Sequence, residues 1–206
     1  LFTPDVERMA RILIHVQHLM GIGHLRRAGA LARACARAGA QVLCVSGGYP
    51  VDALELGSAQ LLQLPPARAQ DLRYKCLVDE HGKPVDERWK QRRVAMLLRA
   101  LSDFMPHVVV TETFPFGRRL LRFELQPLLN WCEDAVPAPR LVASIRDILE
   151  GYPGPAGRMD SVVNVVEKHY HAVLVHADST WVELRETFPE AARLAGKLRY
   201  TGFVHD

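Results

Sequence analysis

Short apolar runs alternate with longer amphipathic stretches along the chain. Residues 11–17 (RILIHVQ) are apolar at their centre, the pattern of a strand buried on both faces. A glycine turn at 21–23 follows. Residues 25–38 then place Leu25, Ala28, Leu31, Ala32 and Cys35 on one helical face and Arg26, Arg33 and Arg37 on the other, with Gly39 as the stop. Residues 41–46 predict a second strand, closed by Gly47 and Gly48, which completes a βαβ unit. The alternation continues with strands at 59–64, 107–111, 140–145, 172–176 and 198–201. Helices are predicted over 87–105, 116–134, 158–170 and 181–195. The first of these rests on Val94, Leu97, Leu98, Leu101 and Phe104 at spacings of three and four, and Pro106 ends it. Pro127 and Pro189 fall inside the second and fourth as breaks. Residues 65–86 are polar and carry Pro65, Pro66, Gly82 and Pro84; a connection that long is either functional or mobile. Strands joined by helical crossovers predict an α/β, Rossmann-like three-layer domain with a parallel sheet of about seven strands. No linker composition divides it.

Composition narrows the class. Hydrophobic residues at 49% and charged residues at 24% suit a packed core and argue against disorder. A net charge of +3 does not by itself call for a nucleic-acid partner. Cys35, Cys44, Cys76 and Cys132 form no C-x-x-C pair, which disfavours a zinc site or disulfide framework and favours a reducing cytoplasm; Cys35 and Cys44 read as core residues. No apolar run approaches the roughly 18 residues of a membrane span. The first ten residues carry Asp5, Glu7 and Arg8 and lack the apolar segment of a signal peptide.

In open α/β sheets ligands bind beyond the carboxyl ends of the strands. That rule selects the loops at 17–27, 112–119, 146–152 and 177–181, which gather polar, glycine and aromatic residues. In the first, Gly21, Ile22 and Gly23 lead into His24 at the start of a helix. The free N–H groups and positive dipole end there suit an anion or a sugar oxygen, and disfavour a second positive charge, as an imidazole acting as proton acceptor requires. The competing reading is tight strand–helix packing with His24 as a polar cap. A nicotinamide site is disfavoured: the third glycine of the fingerprint is replaced by Arg26, and Ser46–Gly47 stand where the acid belongs. Glu112 could bind a sugar hydroxyl, orient a catalytic group, or pair with Arg118 or Arg119. Arg146 and Asp147 could meet a ligand or each other. Arg118, Arg119 and Arg122 could face phosphates or anionic lipid, or form a solvated helix face. Asp178 reads as a helix cap, His15 as a satisfied core residue, and Trp89 and Trp131 as packing. No carboxylate cluster has metal-ligand spacing, so no metal is expected.

The string Gly21-Ile-Gly-His-Leu-Arg-Arg27, with Thr111-Glu-Thr-Phe-Pro-Phe-Gly117 and Ser144-Ile-Arg-Asp-Ile148, resembles a family of predicted bacterial glycosyltransferases. Residues 12–46 resemble the N-terminal domain of GT-B glycosyltransferases around the lipid-linked N-acetylglucosaminyltransferase of peptidoglycan synthesis. The Gly-x-Gly-His-x-x-Arg pattern is also similar to the UDP-sugar hydrolase of the pseudaminic acid pathway. The resemblance implies that residues 10–204 form the acceptor-side domain of a GT-B enzyme, with Tyr200-Thr-Gly-Phe-Val204 as the crossing to a nucleotide-sugar-binding domain outside this chain. It implies an inverting, metal-independent transfer, with the nucleotide sugar as substrate and no cofactor, and an isolated domain that is inactive. His24 and Glu112 are the implied catalytic pair; Gly21, Ile22, Gly23, Arg27, Phe114, Gly117, Arg146 and Asp147 are the implied substrate-binding residues. The acceptor is a sugar or a lipid-linked molecule, with peripheral contact at the inner membrane face permitted. Residues 112–117 replace the second glycine-rich loop of the peptidoglycan enzyme with aromatics and proline, which points to a different acceptor. Hydrolysis at the same histidine, or non-catalytic binding of sugar or nucleotide, remain the alternatives.

Overall fold

The computed structural model describes residues 9–52, 54–71, 75–146, 148–149 and 157–204. The βαβ unit is β1 (Arg11–Val16), α1 (Gly23–Arg37) and β2 (Gln41–Ser46). β3 (Gln60–Gln63) follows, then a two-stranded antiparallel ribbon of β4 (Arg68–Ala69) and β5 (Leu77–Val78). The remaining elements are α2 (Glu87–Phe104), β6 (Val108–Glu112), α3 (Arg122–Asp134), β7 (Arg140–Arg146), α4 (Arg158–His169), β8 (Ala172–His176) and β9 (Leu198–Tyr200). Seven strands form one parallel sheet in the order β3-β2-β1-β6-β7-β8-β9. The chain moves outward from β1 to β3, returns through α2, and moves outward the other way from β6. The strand order therefore reverses between β1 and β6, the place where such sheets bind ligands.

Period-two alternation divides the sheet between two cores. Leu13, Val109, Leu141, Ala143 and Val173 face α2, α3 and α4, while Ile14, Val16, Val42, Cys44 and Val110 face α1. Glu112 is two residues on from Val110 and so falls on the α1 face.

The structure adds detail to one expectation and changes three. The connection at 65–86 carries the small ribbon, whose Ala69 and Leu77 enter the larger core, and Ala69 N donates to Leu19 O. Residues 181–195 form two short 3₁₀ segments, Leu184–Glu186 and Pro189–Leu194, in place of an α-helix; Pro189 supplies no N–H donor. Asp178 caps no helix: its carboxylate accepts from the N–H and hydroxyl of Thr180, closing a local turn. Pro127 sits within α3 without ending it, and residues 116–121 ahead of α3 are a turn and a 3₁₀ segment.

A buried ion pair ties the layers together. Trp89, Arg93, Leu97 and Leu101 form the buried stripe of α2, with Arg93 fully inaccessible. Its Nε and Nη2 donate to the two Glu124 carboxylate oxygens. Nη1 donates to Gly47 O and Pro65 O, both at 2.8 Å, and Nη2 also donates to Gln17 Oε1 at 2.5 Å. All five donors of the guanidinium are used. Glu124 further meets His15 Nε2 at 3.1 Å, the satisfied core partner expected for His15. Gly47 and Gly48 are required by this packing. A Cβ at Gly47 would overlap the Arg93 guanidinium, and one at Gly48 would overlap the His18 ring.

Arg93→Leu leaves Glu124 buried without its main counter-ion and should cost roughly 3–5 kcal/mol by urea denaturation. The double variant Arg93→Leu/Glu124→Leu should recover part of that loss.

Candidate functional site

β1 and β6 deliver two side chains to the same point at the carboxyl edge. α1 begins at Gly23, so His24 stands in its first turn, and Glu112 is the last residue of β6. Glu112 has only 1% of its side chain exposed, against 31% for His24. His24 Nδ1 lies 2.8 Å from Glu112 Oε1. A carboxylate only accepts, so Nδ1 carries the proton and Nε2 keeps a lone pair; this tautomer is assigned from the hydrogen bond. Arg27, one turn along α1, donates from Nη2 to the same oxygen at 2.5 Å. Thr113 Oγ1 donates to Oε2 at 2.8 Å, and Arg118 Nη2 lies 3.7 Å from it. Burial pushes the Glu112 carboxyl up, but the hydrogen bond from His24 and the charges of Arg118 and Arg27 hold it below the ordinary carboxylate range.

The loop after β6 is strained to make this fit. Thr113 has φ 65° and Arg118 φ 61°, left-handed values that a β-branched residue rarely adopts. Thr111 Oγ1 donates to Phe114 O at 2.9 Å and lies 2.8 Å from Tyr170 Oη, pinning the turn from below. Gly117 packs against Thr113: an added Cβ would meet Thr113 Cγ2 at 2.7 Å.

A cavity of about 580 Å³ opens beside His24. Thr113, Gly117, Arg118, Arg119, Arg146 and Arg158 contribute to its wall. Gly117 and Arg146 thus lie where the sequence placed them, next to His24. Phe114 does not line the cavity; Phe116, buried in the same core, does. Arg27 is turned onto Glu112. Ile22 lines a separate cavity of about 340 Å³ with Leu54 and Glu55. Asp147 and residues 150–152 lie outside the described residues, and Arg122 is exposed and does not line the cavity. Gly21 and Gly23 have no neighbour within 4 Å of an added Cβ, so packing within this domain does not demand them. Among the described residues no three His, Cys, Asp or Glu side chains gather as a metal site.

His176, unmarked by the sequence reading, ends β8 on the same face. Its Nε2 lies 2.8 Å from Ser144 Oγ and its Nδ1 2.8 Å from Thr201 Oγ1. Burial first, then the Arg27 charge, lower its pKa from 6.5 to about 4, although Glu112 opposes the shift. Arg93 and Glu124 also escaped notice. Their signal was an Arg at spacing four between Trp89 and Leu97 on an apolar stripe. Arg158 gave no signal.

No protein-family model matches the chain, and no curated protein matches it. Solved structures do. The calicheamicin glycosyltransferase CalG4 superposes with a TM-score of 0.50 at 16% identity, covering 95% of this chain and 53% of that one. Anabaena HepE, solved with UDP-glucose, gives 0.53 at 13% identity, covering 95% and 44%. Phytolacca americana UGT2, solved with UDP-2-fluoro-glucose and pterostilbene, gives 0.53 at 10% identity, covering 97% and 55%. The fold is the Rossmann-like domain of GT-B glycosyltransferases. The chain spans about half the length of these structures.

Two buried groups with large downward shifts contribute to the acid limit of this domain. His176 is shifted from 6.5 to about 4, and Glu124 from 4.5 to about 2, where Arg93 and His15 overcome the effect of burial. Both bind protons more readily unfolded than folded, so each contribution is present above the unfolded value and is lost as pH falls to the folded one. Thermal melts should therefore lose stability in two windows, from pH 6.5 to about 4 and from 4.5 to about 2. His176→Asn should shrink the loss in the upper window, where His18, lowered by burial and Arg118, still contributes, and leave the lower one unchanged.

Proposed function

We propose that this domain is the acceptor side of a two-domain glycosyltransferase that moves a sugar from a nucleotide donor, UDP-linked, to an acceptor hydroxyl. The observation that carries the reading is the His24–Glu112 pair at the topological switch point, with the remainder of the imidazole facing a cavity. The glycine–histidine motif supports it through its resemblance to the peptidoglycan N-acetylglucosaminyltransferase group.

In the proposed reaction the acceptor hydroxyl gives its proton to His24 Nε2. Its oxygen forms a bond to the anomeric carbon as the bond from that carbon to the donor diphosphate oxygen breaks. The electron pair leaves with the nucleoside diphosphate, and the configuration inverts. Glu112, held as a carboxylate by Arg27 and Thr113, fixes the tautomer of His24 and balances the imidazolium that forms. Glu112 is a positioning residue here and His24 the base. The open backbone at Gly21 and Gly23 and the first turn of α1 would accept the charge developing on the diphosphate. The nucleotide itself is assigned to a second domain, which is consistent with the half-length match to the solved structures. Among the described residues no helix is long and apolar enough to cross a membrane.

His24→Ala in the full-length gene product should lower UDP release from UDP-sugar at least about a hundredfold, with an unchanged melting temperature. Turnover near the wild-type rate would overturn the base role. Free sugar as the sole product would reassign the enzyme as a hydrolase. Gly23→Ala separates folding from function: its Cβ meets open space, so the melting temperature should hold or rise slightly while turnover falls.

A further inference from the structure

The cavity beside His24 has an uneven chemical division. Arg118, Arg119, Arg146 and Arg158 stand on its wall, and no carboxylate lines it among the described residues. They come from three separate segments: the loop after β6, the end of β7 and the start of α4. Such convergence is unlike a solvated face of one helix, where like charges share a single element. Arg118 also faces Glu112, whose carboxylate is already engaged by His24, Arg27 and Thr113. The floor is apolar: Leu19, Phe116, Ile145 and Leu149 are buried, and Leu120 and Ile148 line the same cavity. Ile148 is 42% exposed, an aliphatic side chain left at the rim.

A neutral sugar acceptor would use neither feature. Sugar hydroxyls are matched by paired donors and acceptors, whereas guanidinium groups only donate and favour compact oxyanions, which they hold by paired N–H bonds. An apolar floor next to those donors gains most from a hydrocarbon body. We infer that the acceptor is an amphipathic oxyanion: a phosphate, or a group of similar charge and size, joined to an apolar body, which presents its hydroxyl to His24. This rests on the acceptor-side reading above. In this arrangement Arg119 and Arg146 grip the oxyanion at the open side, the apolar body lies over Phe116 and Leu149, and Arg118 stays near Glu112.

The test is binding of octyl phosphate below its micelle concentration to the 206-residue chain, by calorimetry, beside inorganic phosphate, octyl glucoside and UDP. Octyl phosphate should bind at least tenfold more tightly than inorganic phosphate or octyl glucoside. Arg119→Gln/Arg146→Gln, two exposed positions outside the His24 hydrogen-bond network, should weaken it at least tenfold with an unchanged melting temperature. Equal binding of octyl glucoside would overturn the oxyanion assignment. Equal binding of inorganic phosphate would overturn the apolar one. Competition by UDP with the same arginine dependence would give these residues to the donor and also overturn the proposal. Sedimentation with phosphatidylglycerol vesicles separates the sources of the ligand. Release from vesicles by octyl phosphate would support the proposal with a bilayer headgroup as the source. A chain that stays in solution while binding octyl phosphate would support it with a soluble amphiphile. None of these readouts needs turnover. An inactive His24→Ala enzyme therefore leaves them standing, and their failure leaves the His24 test intact.

Discussion

The guanidinium of Arg93 is the fixed point of this domain. It is fully buried, and its five N–H bonds reach the residues just after β1 and β2, Pro65 two residues beyond β3, and Glu124 on α3. A charge placed there without partners would be intolerable, so the surrounding backbone has to adopt the one arrangement that satisfies it. The turns after the first three strands are thereby held at the carboxyl edge of the sheet. Gly47 and Gly48 are part of the same constraint, since a side chain at either would collide with the groups that the ion pair positions. The segment beyond β3 is drawn in as well: Pro65 O accepts from Arg93, and Gln17 Nε2 reaches Ala67 O at 2.9 Å.

On that base the His24–Glu112 pair assembles from opposite sides of the switch point. Strand alternation turns Glu112 toward α1, and the first turn of α1 carries His24 above it. Burial pushes the carboxyl's pKa up; the hydrogen bond from His24, with the charges of Arg118 and Arg27, brings it below the ordinary range. The loop that follows carries unfavourable backbone at Thr113 and Arg118, and its Thr113 hydroxyl closes on the carboxylate. Strain of this kind persists only where the surroundings over-determine it. Here the Thr111 hydroxyl and Tyr170, bonded beneath the turn, are what hold it.

The likeness to solved GT-B glycosyltransferases extends over nearly the whole chain at identities of 10–16%. At that distance it establishes the fold. The segment at 112–119 brings aromatic, strained and cationic residues to a cavity that the common sheet leaves open, which is how a shared scaffold acquires its own ligand.

Much of the architecture was present in the chain order alone. Apolar runs separated by amphipathic helices fixed seven parallel strands, because local periodicity reports burial directly. Gly21, Gly23 and His24 were legible for a related reason: a loop after the first strand lies at the carboxyl edge in any such sheet. Gly117 and Arg146 followed from the same rule. Contacts between distant residues were not legible. Nothing local tells that Arg27 turns onto Glu112, 85 positions away, rather than toward a ligand. Nor does it show that Phe114 packs inward while Phe116 lines the cavity, since a single left-handed residue, Thr113, reorients everything after it. Arg158 joins the site only because α4 starts beside the end of β7. The ribbon within 65–86 was invisible because each of its strands has two residues, too few to carry a period. Sequence specified the layers and the edge; tertiary packing decided which charges meet there, because ion pairs form across space between residues that no local pattern connects.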